Sequence, residues 1–155
     1  MFLYYILALL IIGVDQLTKY MTVANIDLYE VVNVIPNVLS WMYLRNTGAA
    51  WSILEGQMWF FYIVTFVVVI VVVYYLQKYG SQSKLLALSL SFILAGSIGN
   101  VIDRLRFGYV VDMIRLEFIN FPIFNVADMA LSVGVGLMIL YVFLDEKSKK
   151  NELNQ

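Results

Sequence analysis

The chain has 155 residues, of which 62% are hydrophobic and only 14% charged, with a formal net charge of −1 and a mean hydropathy of +0.83. That length fits one domain, and the composition is far oilier than that of a soluble one, so lipid is the expected solvent. With no cysteine and no histidine, disulfides, thiol nucleophiles, His-based triads and the usual zinc sites are excluded, leaving carboxylates, amides, hydroxyls and a few cations for chemistry.

Residues 2–24 form the first predicted span, close to the roughly 20 residues that cross a bilayer as a helix. Asp15 and Lys19 interrupt it. They lie four apart, acid before base, the favourable order for a pair on one helix face. The apolar run 2–14 has no preceding Lys or Arg and no small-x-small cleavage pattern after it. It is therefore expected to be a retained helix, with the mature chain starting at or near Met1, rather than a cleaved leader.

Residues 25–57 are too long for a simple connection. YEVVNVI and VLSWMYLR flank Pro36-Asn37, a turn signal, and predict a small sheet at the membrane surface. AAWSILEG, residues 49–56, predicts a short amphipathic helix resting in the interface. Such a platform could cradle a substrate, although the same composition would also anchor a loop.

The second span, 58–76, is apolar except for Thr65 and ends in paired tyrosines suited to an interface. A short connection, 77–84, leads to a third span, 85–102. Here Gly96, Asn100 and Arg104 recur every four residues, with Asp103 three beyond Asn100, so the polar groups share one broad face. The small residues Ala95, Gly96, Ser97 and Gly99 let another backbone or a ligand come close. Residues 103–121 form a second outer connection that carries Asp112. The fourth span, 122–144, has Asp128 as its sole charge, three residues after Asn125, and the lysine-rich stretch 145–155 reads as a solvated cytoplasmic tail. The fold class is thus an all-α membrane protein of four transmembrane helices with a small extracytoplasmic β-rich platform and a short interfacial helix, in one domain.

Four spans place both termini on one side. The positive-inside comparison is nearly balanced, five lysines against four or five outer cations; the lysine-rich tail favours cytoplasmic termini.

Ionisable groups at membrane depth cost roughly 2.5–3.5 kcal/mol each near a helix centre and point to function by default. Asp128 has no cation at helical spacing and Asp112 lies on a connection, whereas Asp15 and Asp103 each have a cation nearby, which favours an ionised structural role. Two carboxylates brought close together share a proton. One can then take a proton from an attacking water while the other donates to the carbonyl oxygen or the leaving nitrogen. Spacing alone does not make Asp112 and Asp128 neighbours.

Five motifs in order, DQLTK (15–19), RNTGAAW (45–51), AGSIGNVIDR (95–104), VVDM (110–113) and FNVAD (124–128), resemble those of the lipoprotein signal peptidases, or signal peptidases II, bacterial membrane aspartyl proteases. The resemblance covers the chain except its tail. It implies that Asp112 and Asp128 are the catalytic dyad and that Asp15, Lys19, Asn46, Gly96, Asn100, Asp103, Arg104 and Asn125 build or support the site. Met113 and Met129 stand where the family pattern has Phe and a small polar residue, a departure that touches pocket detail beside the dyad. The implied substrate is a prolipoprotein, cut just before a diacylglyceryl-modified cysteine at the outer face of the bacterial cytoplasmic membrane. Membrane lipid and globomycin-type inhibitors are implied as further partners; no metal, cofactor or nucleic acid is expected. An ion or proton transporter, or a noncatalytic subunit using its polar residues as interhelical glue, are the rival readings.

Overall fold

The computed structural model describes residues 1–48 and 54–153. Helix α1 spans Phe2–Asn25, and after it strands β1 (Val31–Ile35) and β2 (Leu39–Asn46) form a hairpin. Helices α2 (Met58–Tyr79) and α3 (Lys84–Phe107), strand β3 (Val110–Leu116) and helix α4 (Val126–Leu153) follow. All four helices are long and apolar enough to cross a membrane, which makes this a multi-pass membrane protein. Its outward side chains fit that solvent: Leu9, Phe66 and Phe143 are each about two-thirds exposed.

The hairpin closes where the turn residues predict. Val38 N donates to Ile35 O at 3.0 Å, Pro36 fixes the first central position, and Asn37 takes a left-handed φ of 61°, which Asn tolerates better than most residues. The sheet, however, has a third strand. β3 pairs antiparallel with β2, Asp112 opposite Leu44 and Val110 opposite Asn46, giving the order β1-β2-β3.

Four expectations are corrected. The third helix does not end near 102 but runs to Phe107, which keeps Asp103 and Arg104 on the helical face that their spacing predicts; the Asp and Arg residues lower the hydropathy without breaking the helix. Asp112 sits in a strand instead of on a loop. The fourth helix starts at Val126 rather than 122, and it continues to Leu153, so the lysine-rich tail is largely helical. The second helix extends to Tyr79. The expected interfacial helix falls mainly on residues 49–53, outside the described residues, and Leu54–Gly56 form a turn.

Packing divides the bundle lengthwise. Away from the sheet, Ala8, Val72, Leu76, Leu86, Leu90 and Leu94 form an apolar core. Toward the sheet, the buried groups become polar: Asp15, Lys19, Asn100, Asp103, Asp112 and Asn125. Helix α3 is the spine, packing on α1, α2 and α4. Gly96 makes its approach to α4 possible, since a Cβ there would strike the Ala127 carbonyl and Leu131. At the far end of α3, Gly108 takes φ 75° and its N–H bonds to Arg104 O, a left-handed cap that ends the helix and turns the chain straight into β3.

Candidate active site

The site begins with an ion cluster between α1 and α3. Lys19 Nζ lies 2.9 Å from Asp15 Oδ2 and 3.0 Å from Asp103 Oδ2, all three residues being nearly fully buried. A buried charge needs such partners and further hydrogen bonds to offset its desolvation. Gln16, which sequence reasoning passed over although it lies inside the first motif, supplies them: its Nε2 donates to Asp103 Oδ1 at 2.9 Å and to Asp15 Oδ2 at 3.1 Å. Each acid also holds backbone. Asp15 Oδ1 accepts from Ala127 N at 2.8 Å, and Asp103 Oδ2 from Val111 N at 3.0 Å. Two acids on α1 and α3 thereby fix the chain on either side of the other two.

Asp128 is positioned by the start of its own helix. Asn125 precedes α4 and caps it: Asn125 Oδ1 accepts from Asp128 N at 2.9 Å, and Asp128 Oδ2 accepts from Asn125 N at 3.2 Å. This reciprocal pair works as a capping box does, satisfying donors that the first turn leaves free. Asn100 Nδ2 donates to Asp128 Oδ1 at 2.7 Å. The orientation of that amide is set from behind, because Asn100 Oδ1 accepts from Lys19 Nζ at 3.0 Å and Asn125 Nδ2 at 3.1 Å.

Asp112 is 1% exposed and, among the described residues, is held by side-chain amides. Asn125 Nδ2 donates to Oδ1 at 2.7 Å and Asn46 Nδ2 to Oδ2 at 2.9 Å. Burial first, and then the Asp128 charge, push its carboxyl up to about 7 against the opposing pull of the Asn46 and Asn125 hydrogen bonds and of Lys19. Among the described residues, neither Asp112 nor Asp128 makes an ion pair. Asn125 therefore ties the two carboxylates together, bonding to both.

Both acids line a cavity of about 950 Å³ between α2, α3 and α4, walled by aliphatic residues such as Val64, Val68, Ile93 and Val133. Arg104 also lines it. Its Nη2 donates to Gly48 O at 3.0 Å and its guanidinium lies 4.3 Å from the Phe61 ring centre, while Tyr62 donates to the Arg104 carbonyl at 2.9 Å. Phe61 and Tyr62 carry no signal in an all-apolar helix, which is why sequence reasoning missed them.

The sequence-predicted residues thus converge. Asp15, Lys19, Asn46, Asn100, Asp103, Asp112, Asn125 and Asp128 form one hydrogen-bonded network, and Arg104 joins it at the cavity wall. Gly96 stands apart as a packing position that seats α4. Among the described residues, no group of acids has the arrangement of a metal site.

Gathering five buried ionisable side chains and the half-buried Asp128 at one end of a lipid-facing bundle costs too much for packing to explain, and the class that fold and site together define is a multi-pass membrane enzyme. Solved structures agree: a bacterial membrane enzyme determined by the in meso method at 2.3 Å is 36% identical, with a TM-score of 0.92 over 96% of this chain and 92% of the other. A second, at 1.9 Å, is 37% identical with a TM-score of 0.85, over 92% of this chain and 93% of the other. The match to signal peptidase (SPase) II spans residues 7–144, and the chain belongs to that family. Among its relatives, the lipoprotein signal peptidase of Enterococcus faecalis is 52% identical over 97% of this chain and 94% of its own length. That of Listeria monocytogenes is 51% identical over 95% and 97%. The chain is accordingly a peptidase.

Proposed function

We propose that the protein is an aspartyl endopeptidase that removes signal peptides from bacterial prolipoproteins, cutting before the diacylglyceryl-modified cysteine, with Asp112 and Asp128 as the dyad. The observation that carries this reading is the pair itself: two carboxylates bridged by Asn125, without an ion pair among the described residues, at the wall of a largely aliphatic cavity. With its carboxyl near 7, Asp112 exchanges its proton around neutral pH, where an ordinary aspartate has long lost it.

A peptide bond seated between the acids is hydrolysed by general acid–base catalysis. One carboxylate removes a proton from water as the water oxygen attacks the carbonyl carbon. The protonated partner hydrogen-bonds the carbonyl oxygen and, as the tetrahedral intermediate collapses, its proton passes to the departing nitrogen while the C–N bond breaks. The dyad finishes with one proton, ready to turn over again.

The surrounding residues make this possible without touching the reacting atoms. Lys19, Asp15 and Asp103 fix the backbone at Ala127 and Val111; Asn46, Asn100 and Asn125 aim the carboxylates. The aliphatic cavity suits an apolar signal peptide with its diacylglyceryl chains left toward lipid, and it would admit globomycin-type inhibitors. The termini are assigned to the cytoplasm and the sheet end of the bundle to the outer face of the bacterial cytoplasmic membrane. A transporter fits less well, because its acids should follow a path across the membrane, whereas these four share one network at one end above an apolar core.

The test uses one precursor with and without its diacylglyceryl group, presented to the purified protein. Cleavage of the lipidated form alone is the expected result. No cleavage of either form overturns the reading, and equal turnover removes the lipid requirement.

A further inference from the structure

A second cavity of about 760 Å³ adjoins the first on the sheet side, within the roughly 300–1,000 Å³ range of ligand pockets. The two share Asn46, Leu116 and the stretch Phe121–Ile123 as lining, so they meet at the residue that holds Asp112. Their chemistry differs sharply. The cavity of the dyad is aliphatic along the bundle, whereas its neighbour sets Arg45, Arg115, Glu55, Glu117 and Asn120 among apolar groups such as Phe118.

Those charges are balanced and largely satisfied in place. Arg115 pairs with Glu117 at 3.4 Å, Glu55 accepts from Thr47 at 3.2 Å, and Arg45 bonds to the Tyr43 hydroxyl at 2.8 Å while lying 4.9 Å from the Tyr109 ring centre. Two cations and two anions offer a mixed polar wall with no single-sign field, a surface for an uncharged or mixed polar chain rather than a polyanion.

Recognition by strand addition is ruled out beside the dyad. Ile114 exchanges backbone hydrogen bonds with Phe124 at 2.8 and 3.1 Å, and Val111 N is used by Asp103. The edge of β3 flanking Asp112 is thus already occupied and cannot take up another strand. A polypeptide leaving the dyad on this side must be held by side chains within the second cavity.

We infer that this polar cavity binds the segment following the scissile bond, the first polar residues of the mature chain, while the aliphatic cavity takes the segment before it. The inference rests on the peptidase reading and adds a recognition site to it. The membrane enzyme would then read its substrate on both sides of the bond, with Asn46 at the divide.

The experiment compares two synthetic diacylglyceryl-modified peptides that are identical through the modified cysteine. One ends as an amide one residue later; the other continues for six polar residues. The protein is assayed unchanged and as Asn120→Trp and Ile119→Trp, which fill the second cavity at positions outside the dyad network. The expected result is a KM roughly tenfold lower for the longer peptide with the unchanged protein. The variants should lose that advantage while cleaving the short peptide normally, which also shows that they are folded. Equal KM for both peptides with the unchanged protein overturns the inference, as does a variant that impairs both peptides alike while keeping the unfolding temperature of the unchanged protein. If the unchanged protein cleaves neither peptide, the peptidase reading fails and takes the inference with it.

Discussion

The four acids of the site divide into two pairs that lie within one network and have opposite electrostatics. Asp15 and Asp103 share Lys19 at 2.9 and 3.0 Å and also accept from backbone and Gln16. Among the described residues, Asp112 and Asp128 receive amide and backbone donors and no cation. A carboxylate neutralised by a cation and saturated with hydrogen bonds is a structural clamp. One held by amides keeps its orientation while remaining able to gain and lose a proton. The protein thus separates the charge that holds the site together from the charge proposed to react, with Asn100 between them.

The sharpest way to break this contrast is to neutralise the second pair. Asp112→Asn and Asp128→Asn should each reduce cleavage of a lipidated precursor by about 10²–10⁴-fold or more, while the protein remains inserted and folded by circular dichroism. Full cleavage by either purified variant would sink the dyad. Lys19→Met should act on the other side of the contrast. It strands two buried carboxylates, a loss of about 3–5 kcal/mol, seen as a fall in unfolding temperature in detergent that neither dyad variant shares. An unchanged unfolding temperature would mean that Lys19 is not the clamp.

Asn100→Ala probes the bridge. Removing a hydrogen bond to a charged group is worth about 1.5–3 kcal/mol, so turnover should fall roughly 10- to 100-fold, with less stability lost than in Lys19→Met; the two losses measured side by side decide it. The smallest effect is one of pH. The Asp112 carboxyl is raised from 3.8 to about 7, so between those values the folded state binds more protons than the unfolded chain. Stability therefore declines as pH rises through that window, and turnover should decline above about pH 7 as the dyad loses its proton. In Asp112→Asn, the stability slope should flatten between pH 4 and 7. A slope unchanged from that of the parent would show that Asp112 titrates normally.

Much of this was legible in the chain. Asp15 and Lys19 one helical turn apart, and Gly96, Asn100, Asp103 and Arg104 on one face, follow from helix period alone, and their contacts are as that period requires. The hairpin was legible from Pro36-Asn37 between two strand-rich runs. β3 was not, because VVDMIRL presents no turn signal of its own and becomes a strand only by pairing with β2. The true end of α3 was hidden for the opposite reason: hydropathy drops at Asp103 while the helix goes on to its glycine cap.

By itself, the sequence determined that the protein lives in lipid, how many times it crosses, and that its chemistry must use carboxylates and amides, since these follow from composition and from periods of a few residues. The ordered motifs selected Asp112 and Asp128 as partners. Only the tertiary structure decided which acids share a cation and which do not, because Lys19 reaches Asp103 across 84 positions of sequence, and Asn125 joins a strand to a helix cap. Those are distances through space, set by the close approach of α3 to α1 and α4, and no local pattern encodes them.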